Sequence, residues 1–271
     1  NAKIFAAIIF IMFGASMQAE ASVTHKYLFE IKTSETQGNG PLNQPADVAV
    51  DASGDVYVAD TINNRIVVFD DSGRVKTVFG KYGQQAGELN QPMALAVDPK
   101  NKTVYVADSL NYRVQIFKSD GQFVSSMDLN RGLEESAKNV RPIGIAVSPS
   151  ATVYVSDVDN NYIRAYSASG KPLFKFGGFG PEEGKLCVPV GLFMDAHEKL
   201  YVVDMNNSRL EIFDKEGNFL SKAGAAGDTK GSFFKPKDVC VDENGFIFVS
   251  DAGNSVVQIF DTAGKFVDVI G

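Results

Sequence analysis

Apolar residues along this chain come in short alternating runs rather than at helical spacing. Between Pro45 and Gly80 four such runs follow one another: Asp47–Val50, Val56–Ala59, Arg65–Phe69 and Val75–Phe79. Each is β-branched or alternating, and each is bounded by Gly, Asp, Asn or Ser. Runs of this kind between turn residues predict four short antiparallel strands joined by tight turns. A lone four-stranded sheet leaves both faces uncovered, so it needs further sheets stacked beside it.

The stretch recurs. Pro45, Pro92, Pro142, Pro189 and Pro236 each open a similar segment, 47 to 50 residues apart. A period of this length, filled with strands and without a helical pattern, predicts an all-β fold, a β-propeller of four-stranded antiparallel blades with one blade per repeat. Glycine-containing linkers lead into the blades: Gly38 and Gly40 before Pro45, Gly80, Gly83 and Gly87 before Pro92, Gly177, Gly180 and Gly184 before Pro189, and Gly224, Gly227 and Gly231 before Pro236. Glycine permits the positive φ that a tight crossing between sheets requires. The linker Asn130–Arg141 differs; it carries Glu134, Glu135 and Lys138, with room for a helical turn.

Tyr27–Ile31 reads as the fourth strand of a blade whose first three strands are missing, and Gly271 closes another fourth strand. The count is five full blades and one N-terminal latch strand. Propellers commonly build one blade from both ends of the chain, which removes free sheet edges. Six blades are therefore expected in the intact protein, the sixth completed by strands beyond Gly271, with this chain a C-terminal truncation. Residues 1–21 lie outside the propeller. Lys3, the apolar run Ile4–Phe13 and Ala19-Glu20-Ala21 have the order of a secretory signal peptide, cleaved after Ala21 or Ala19. The expected organisation is a signal peptide over 1–21 and a propeller over 22–271, in a secreted or periplasmic protein, monomeric and with no membrane span once the signal is removed.

Composition narrows the function. The net charge is −7, and residues 1–21 hold one basic and one acidic residue, so their removal leaves it unchanged. Nucleic-acid binding needs a basic surface that releases counterions, and an anionic membrane needs the same, so both are disfavoured. Cys187 and Cys240 fall at non-equivalent places in adjacent repeats and read as two small buried hydrophobes rather than a disulfide. The two histidines, His25 and His197, are isolated in loops and do not make a multi-histidine zinc site. No nucleophile elbow, phosphate loop, zinc-protease or haem motif is present.

The turn after the second strand is patterned. It contains Asp60, Asn63 and Arg65 in the first repeat, Asp108, Asn111 and Arg113 in the second, and Asp157 and Asn160 in the third. The fourth has Asp204, Asn207 and Arg209, and the fifth Asp251 and Asn254. An alternating strand ending in an aromatic follows each: Phe69, Phe117, Tyr166, Phe213 or Phe260. With the proline-led first strand ahead of it, this D-x-x-N-x-R pattern resembles the NHL repeat, over roughly residues 27–271, in an exported, bacterial-type setting. The chain has no Trp, so the mark of WD repeats is absent. Asp and Asn at turn starts bind backbone N–H groups, and the arginine pairs with the aspartate or caps a neighbouring blade, so these residues read as scaffold.

Departures from the repeat mark candidate sites. The first strand of a propeller blade lines the central channel, which places Gln44, Asp47, Gln91, Arg141, Lys235, Lys237 and Asp238 at or near its mouth. Tyr112 and Asn161 vary at the turn between second and third strands. The expected function is a non-catalytic binding scaffold, engaging a protein, peptide or carbohydrate partner through its loop face and needing no cofactor. The alternative is a metal-dependent hydrolase or lyase. Similarity to lactonase-type and amidating-lyase-type propellers implies an ion, calcium or zinc, in the channel, with Asp47 and Asp238 as the carboxylates nearest to such a site.

Overall fold

A computed structural model describes residues 40–271 except 99, 101, 132 and 134–138. The signal segment, the latch strand Tyr27–Ile31 and the helical turn expected near Glu134 lie outside the described residues. Among the described residues twenty strands form five four-stranded antiparallel sheets, each in simple sequential order. The first blade holds β1 (Asp47–Val50), β2 (Val56–Asp60), β3 (Arg65–Phe69) and β4 (Val75–Phe79). The second holds β5 (Pro92–Asp98), β6 (Thr103–Asp108), β7 (Arg113–Lys118) and β8 (Phe123–Asp128). The third holds β9 (Pro142–Val147), β10 (Val153–Asp157), β11 (Tyr162–Tyr166) and β12 (Pro172–Gly177). The fourth is β13 (Pro189–Met194), β14 (Leu200–Asp204), β15 (Arg209–Phe213) and β16 (Phe219–Ala223). The fifth is β17 (Pro236–Val241), β18 (Ile247–Asp251), β19 (Val256–Phe260) and β20 (Phe266–Ile270).

The core lies between blades. Tyr57, Ile66, Val68 and Phe79 of the first blade meet Leu95, Val104, Val106 and Phe117 of the second, with the linker residue Leu89 among them. The same arrangement joins blades two and three, three and four, and four and five. Alternation along each strand makes this possible, because both faces of an inner blade are apolar and each is covered by a neighbour. The third-strand aromatics Phe117, Tyr166, Phe213 and Phe260 are buried in this layer. Phe79 packs at a tilt on Phe117, ring centroids 4.9 Å apart, and Phe176 on Phe213 at 4.8 Å, each pair spanning two blades. Burying one such ring contributes about 1.5–3 kcal/mol. The outward faces of the first and fifth blades form two separate clusters, around Val67 and Phe69 and around Phe248 and Ile259.

First strands of successive blades pack side by side around the axis. Gly144 and Gly191 sit where they approach most closely. A Cβ on Gly144 would stand 2.0 Å from the Val190 carbonyl oxygen, and one on Gly191 would stand 2.6 Å from the Asp238 Cα. The Ser156 hydroxyl ties this seam, accepting the Gly144 N–H at 2.7 Å and donating to the Val190 carbonyl at 3.0 Å. Gly144→Ala is expected to cost about 2 kcal/mol or more, since the obstacle is backbone that cannot rotate away. Denaturant unfolding checks this; an unchanged midpoint would mean that the seam is looser than described.

Candidate functional site

Two regions converge at one end of the propeller. One is the central channel. The other is the loop face, built from the turns between second and third strands and from the linkers between blades.

All five first strands line a cavity of about 460 Å³ on the axis, and Asp47, Lys237 and Asp238 are among its lining residues. Gln44, Gln91, Tyr112, Arg141, Asn161 and Lys235 are not; they belong to the loop face around it. Asp47 Oδ2 accepts the Leu95 N–H of the next blade at 2.8 Å, and Oδ1 accepts the Val48 N–H at 2.6 Å. The Asp47 and Asp238 side chains are within hydrogen-bond reach of each other, which brings the first and fifth blades together at the axis. Burial pushes the Asp47 carboxyl up to about 6, against the pull of its backbone donors. Burial and the neighbouring Asp47 charge hold Asp238 well above the usual carboxylate range. Two carboxyls this close share a proton rather than ionise together. Burial and the Asp238 charge also raise the Cys240 thiol, to about 12, so it is no nucleophile at neutral pH. Cys187 and Cys240 are free thiols.

As a cation site the pair is poorly equipped. Calcium takes six to eight oxygens, and zinc three or four converging N, S or O ligands. Among the described residues no group of three or more His, Cys, Asp or Glu converges anywhere. His197 lies in an exposed turn.

The loop face is held by a repeated clasp. In the second blade the buried Asp108 accepts the Asn90 N–H at 2.6 Å on Oδ1. Its Oδ2 accepts Asn111 Nδ2 at 2.9 Å, Arg113 Nε at 2.7 Å and Gln115 Nε2 at 3.1 Å. The rest of the Arg113 guanidinium donates to the carbonyls of Gln84, Gln85 and Glu88 in the incoming linker. Arg209 reads Pro181, Glu182 and Lys185 in the same way, and Arg65 reaches Gly40 and Pro41. In the first, second, fourth and fifth blades the turn therefore grips the linker that precedes its own blade. The third blade lacks the arginine at Tyr162, yet Arg164 Nε reaches Asp157 Oδ2 at 2.7 Å. Residues two apart on a strand share a face, so the cation has moved along it without leaving the site.

Backbone strain marks the same face. Asn64, Tyr112, Asn161, Ser208 and Ser255 all have φ between 52° and 60°, and the residues before the prolines, Gln44, Gln91, Val188 and Lys235, are left-handed too. Asn suits this conformation, and here it also works: Asn64 Oδ1 accepts the Gln91 N–H and Asn161 Oδ1 the Val188 N–H, each at 2.8 Å. Asn161, expected as a ligand-facing residue, is a turn residue whose oxygen is already committed to the next linker. Arg141 is likewise engaged, in a two-pronged pair with Asp159 at 2.8 and 2.7 Å. Lys235 and Lys237 remain exposed, Lys235 over the Phe234 ring and Lys237 with its ammonium 3.4 Å from the Met205 sulfur.

The most exposed aromatics on this face lie in the linkers, outside the turn motif and the first strands. Phe179 is 76% exposed, Tyr82 71% and Phe234 53%. Tyr82 and Phe179 occupy the same place in their linkers, each bridged to a buried leucine, as Ala226 is to Phe233. The sequence signal for them is the equivalent position of Tyr82 and Phe179 in their glycine-containing linkers.

The NHL repeat family matches residues 42–69, which span the first blade as far as its third strand. The chain carries an NHL repeat within a β-propeller. A second family, described as a 6-bladed beta-propeller, matches residues 183–258, in accord with the expected blade number. The propeller is 28% identical over 139 residues to "Protein brain tumor" of Drosophila melanogaster, an alignment covering 51% of this chain and 13% of that protein. It thus spans only a small part of that relative. A structure of streptogramin B lyase superposes with a TM-score of 0.62 at 14% identity, over 89% of this chain and 70% of that chain. A nidogen/laminin complex structure gives 0.64 at 22% identity, over 85% and 81%. At these identities the structural likeness establishes the shared propeller fold. Among the described residues no helix is long and apolar enough to cross a membrane.

Proposed function

We propose that this NHL propeller is an exported, non-catalytic scaffold whose loop face binds a protein or peptide partner. The observation that carries the reading is the row of exposed rings, Tyr82, Phe179 and Phe234, on rigidly clasped linkers. Large exposed aromatics on an otherwise polar face are characteristic of contact anchors. The clasp fixes the backbone that carries them: Arg113 holds the linker of Tyr82, Arg209 that of Phe179, and Asp251 with Gln258 that of Phe234. One of the solved structures it resembles is a nidogen/laminin complex, itself a protein assembly. A carbohydrate ligand would use the same rings by stacking. Export rests on residues 1–21, and the propeller acts as a monomer in the secreted or periplasmic space.

The rival is a lyase or hydrolase working in the channel, favoured by the proton-sharing Asp47 and Asp238 inside a ligand-sized cavity and by the fold shared with streptogramin B lyase. Recovery of partners from the exported fraction separates the two. Tyr82→Ala with Phe179→Ala is expected to reduce recovery at least tenfold, as truncation of two anchors does, and Lys235→Ala to reduce it less. Unchanged recovery would remove this face. A stoichiometric calcium or zinc content in the purified protein would favour the enzyme.

A further inference from the structure

In the second and fifth blades the third strand carries a glutamine in its middle, and both make the same bonds. Gln115 Oε1 accepts the Gly87 N–H at 2.9 Å, while its Nε2 donates to the Glu88 carbonyl and, at 3.1 Å, to Asp108 Oδ2. Gln258 Oε1 accepts the Gly231 N–H at 2.8 Å, and its Nε2 donates to the Ser232 carbonyl and to Asp251 Oδ2 at 3.2 Å. The amide supplies one acceptor and one donor, and both are used to bolt the linker to the turn carboxylate.

The fourth blade has Glu211 in this place. Its Oε1 accepts the Gly184 N–H at 3.2 Å and lies 3.2 Å from an Arg209 nitrogen. Its Oε2 is the counterpart of the glutamine Nε2, the donor whose acceptors correspond in this blade to the Lys185 carbonyl and the Asp204 carboxylate. Glu211 is fully buried, and Oε2 is the one buried side-chain polar atom without a partner among the described residues. An ionised Oε2 sets acceptor against acceptor. A proton on Oε2 supplies the missing donor and restores the pattern of the glutamines.

We propose that Glu211 is a proton-operated latch on the linker 178–188, holding it to the fourth blade when protonated and loosening it when ionised. The surrounding charges leave the balance close to neutrality. Burial raises the carboxyl to about 7, and the Asp204 charge on β14 adds to this. Arg209 on its own strand, the Gly184 N–H and Lys222 on β16 oppose it. Lys222 is shared with Glu183 of the linker at 3.2 Å, and Lys185 turns its ammonium to the Gly177 carbonyl. The arginine contacts to Pro181, Glu182 and Lys185 persist on ionisation, so the linker loosens around Gly184 without detaching. The inference is independent of what the loop face binds, although the same linker carries Phe179.

Amide hydrogen exchange on the intact chain, comparing the native protein with Glu211→Gln at the same pH, tests it. At pH 8 the segment 178–188 is expected to exchange about tenfold faster in the native protein, the loss of roughly one hydrogen bond, and at pH 5.5 the two proteins agree. The segment 225–235, held by Gln258, behaves alike in both. Gln258→Glu is expected to transfer the pH dependence to 225–235. Equal protection of 178–188 in the two proteins at pH 8, or an excess already present at pH 5.5, would overturn the latch.

Discussion

Asp108→Ala is expected to cost about 3–5 kcal/mol, the largest effect of any single substitution considered for this propeller. The carboxylate is fully buried and takes four donors, from the Asn90 backbone and from Asn111, Arg113 and Gln115. Its removal strands the Arg113 guanidinium beside carbonyls that cannot balance its charge. Most of the cost is that uncompensated cation rather than the worth of the pair. Two consequences distinguish this from an ordinary core defect. Asp108→Asn, which keeps the shape and one acceptor, recovers only part of the loss. The double variant with Arg113→Met costs less than Asp108→Ala alone, because no charge is left unpaired. Urea unfolding midpoints measure both; additive effects of Asp108→Ala and Arg113→Met would show that the clasp is not a unit.

The second large effect depends on pH. Asp47 and Asp238 meet at the axis, and burial raises both carboxyls in the folded protein. In the unfolded chain each titrates near 3.8. Below that value both states hold their protons and the pair contributes no pH dependence. As pH rises from about 4 to 6 the unfolded chain releases protons that the fold retains, so stability falls across this interval. For Asp47 alone the loss is of the order of 3 kcal/mol. Asp238→Asn removes the second charge and offers Asp47 a donor. The variant is expected to melt about 5 °C or more above the native protein at pH 7.5. It should also show a smaller decline between pH 4 and 7. Parallel melting curves for the two proteins across that range would mean that the carboxyls do not interact.

The strand pattern was legible because each blade repeats an alternation that only a two-sided sheet satisfies. The expected runs in the first repeat match β1 to β4, apart from the extension of β2 to Asp60. The turn motif was legible as a pattern, but its partners were not. Arg113 spends its guanidinium on carbonyls of Gln84, Gln85 and Glu88, and backbone carbonyls carry no residue-type signal. Arg164 was within reach of a closer reading, since a period of two puts it on the face that Tyr162 leaves without a cation. At Asn161 the residue type varies between repeats while the left-handed backbone is shared, and the conformation carries no residue-type signal. Asp47 and Asp238 were each noted, yet their meeting depends on how the first and fifth blades approach the axis. Glu211 is not legible in the sequence, because an acidic residue in a strand ordinarily faces solvent; only the glutamines at its two counterparts expose it as an exception.

The bonds that fasten each linker to its blade join residues 17 to 29 positions apart, as in Asn90 to Asp108 and Gln84 to Arg113. Each fastening is complete once the third strand of its blade has been made, with no contribution from later repeats. A chain emerging from the ribosome can therefore secure one sheet after another, from the N-terminal side, before the axis is assembled. For a protein with so many strands this keeps the sequence distance between contacts short, which favours rapid ordering and limits the time that unpaired edges spend exposed.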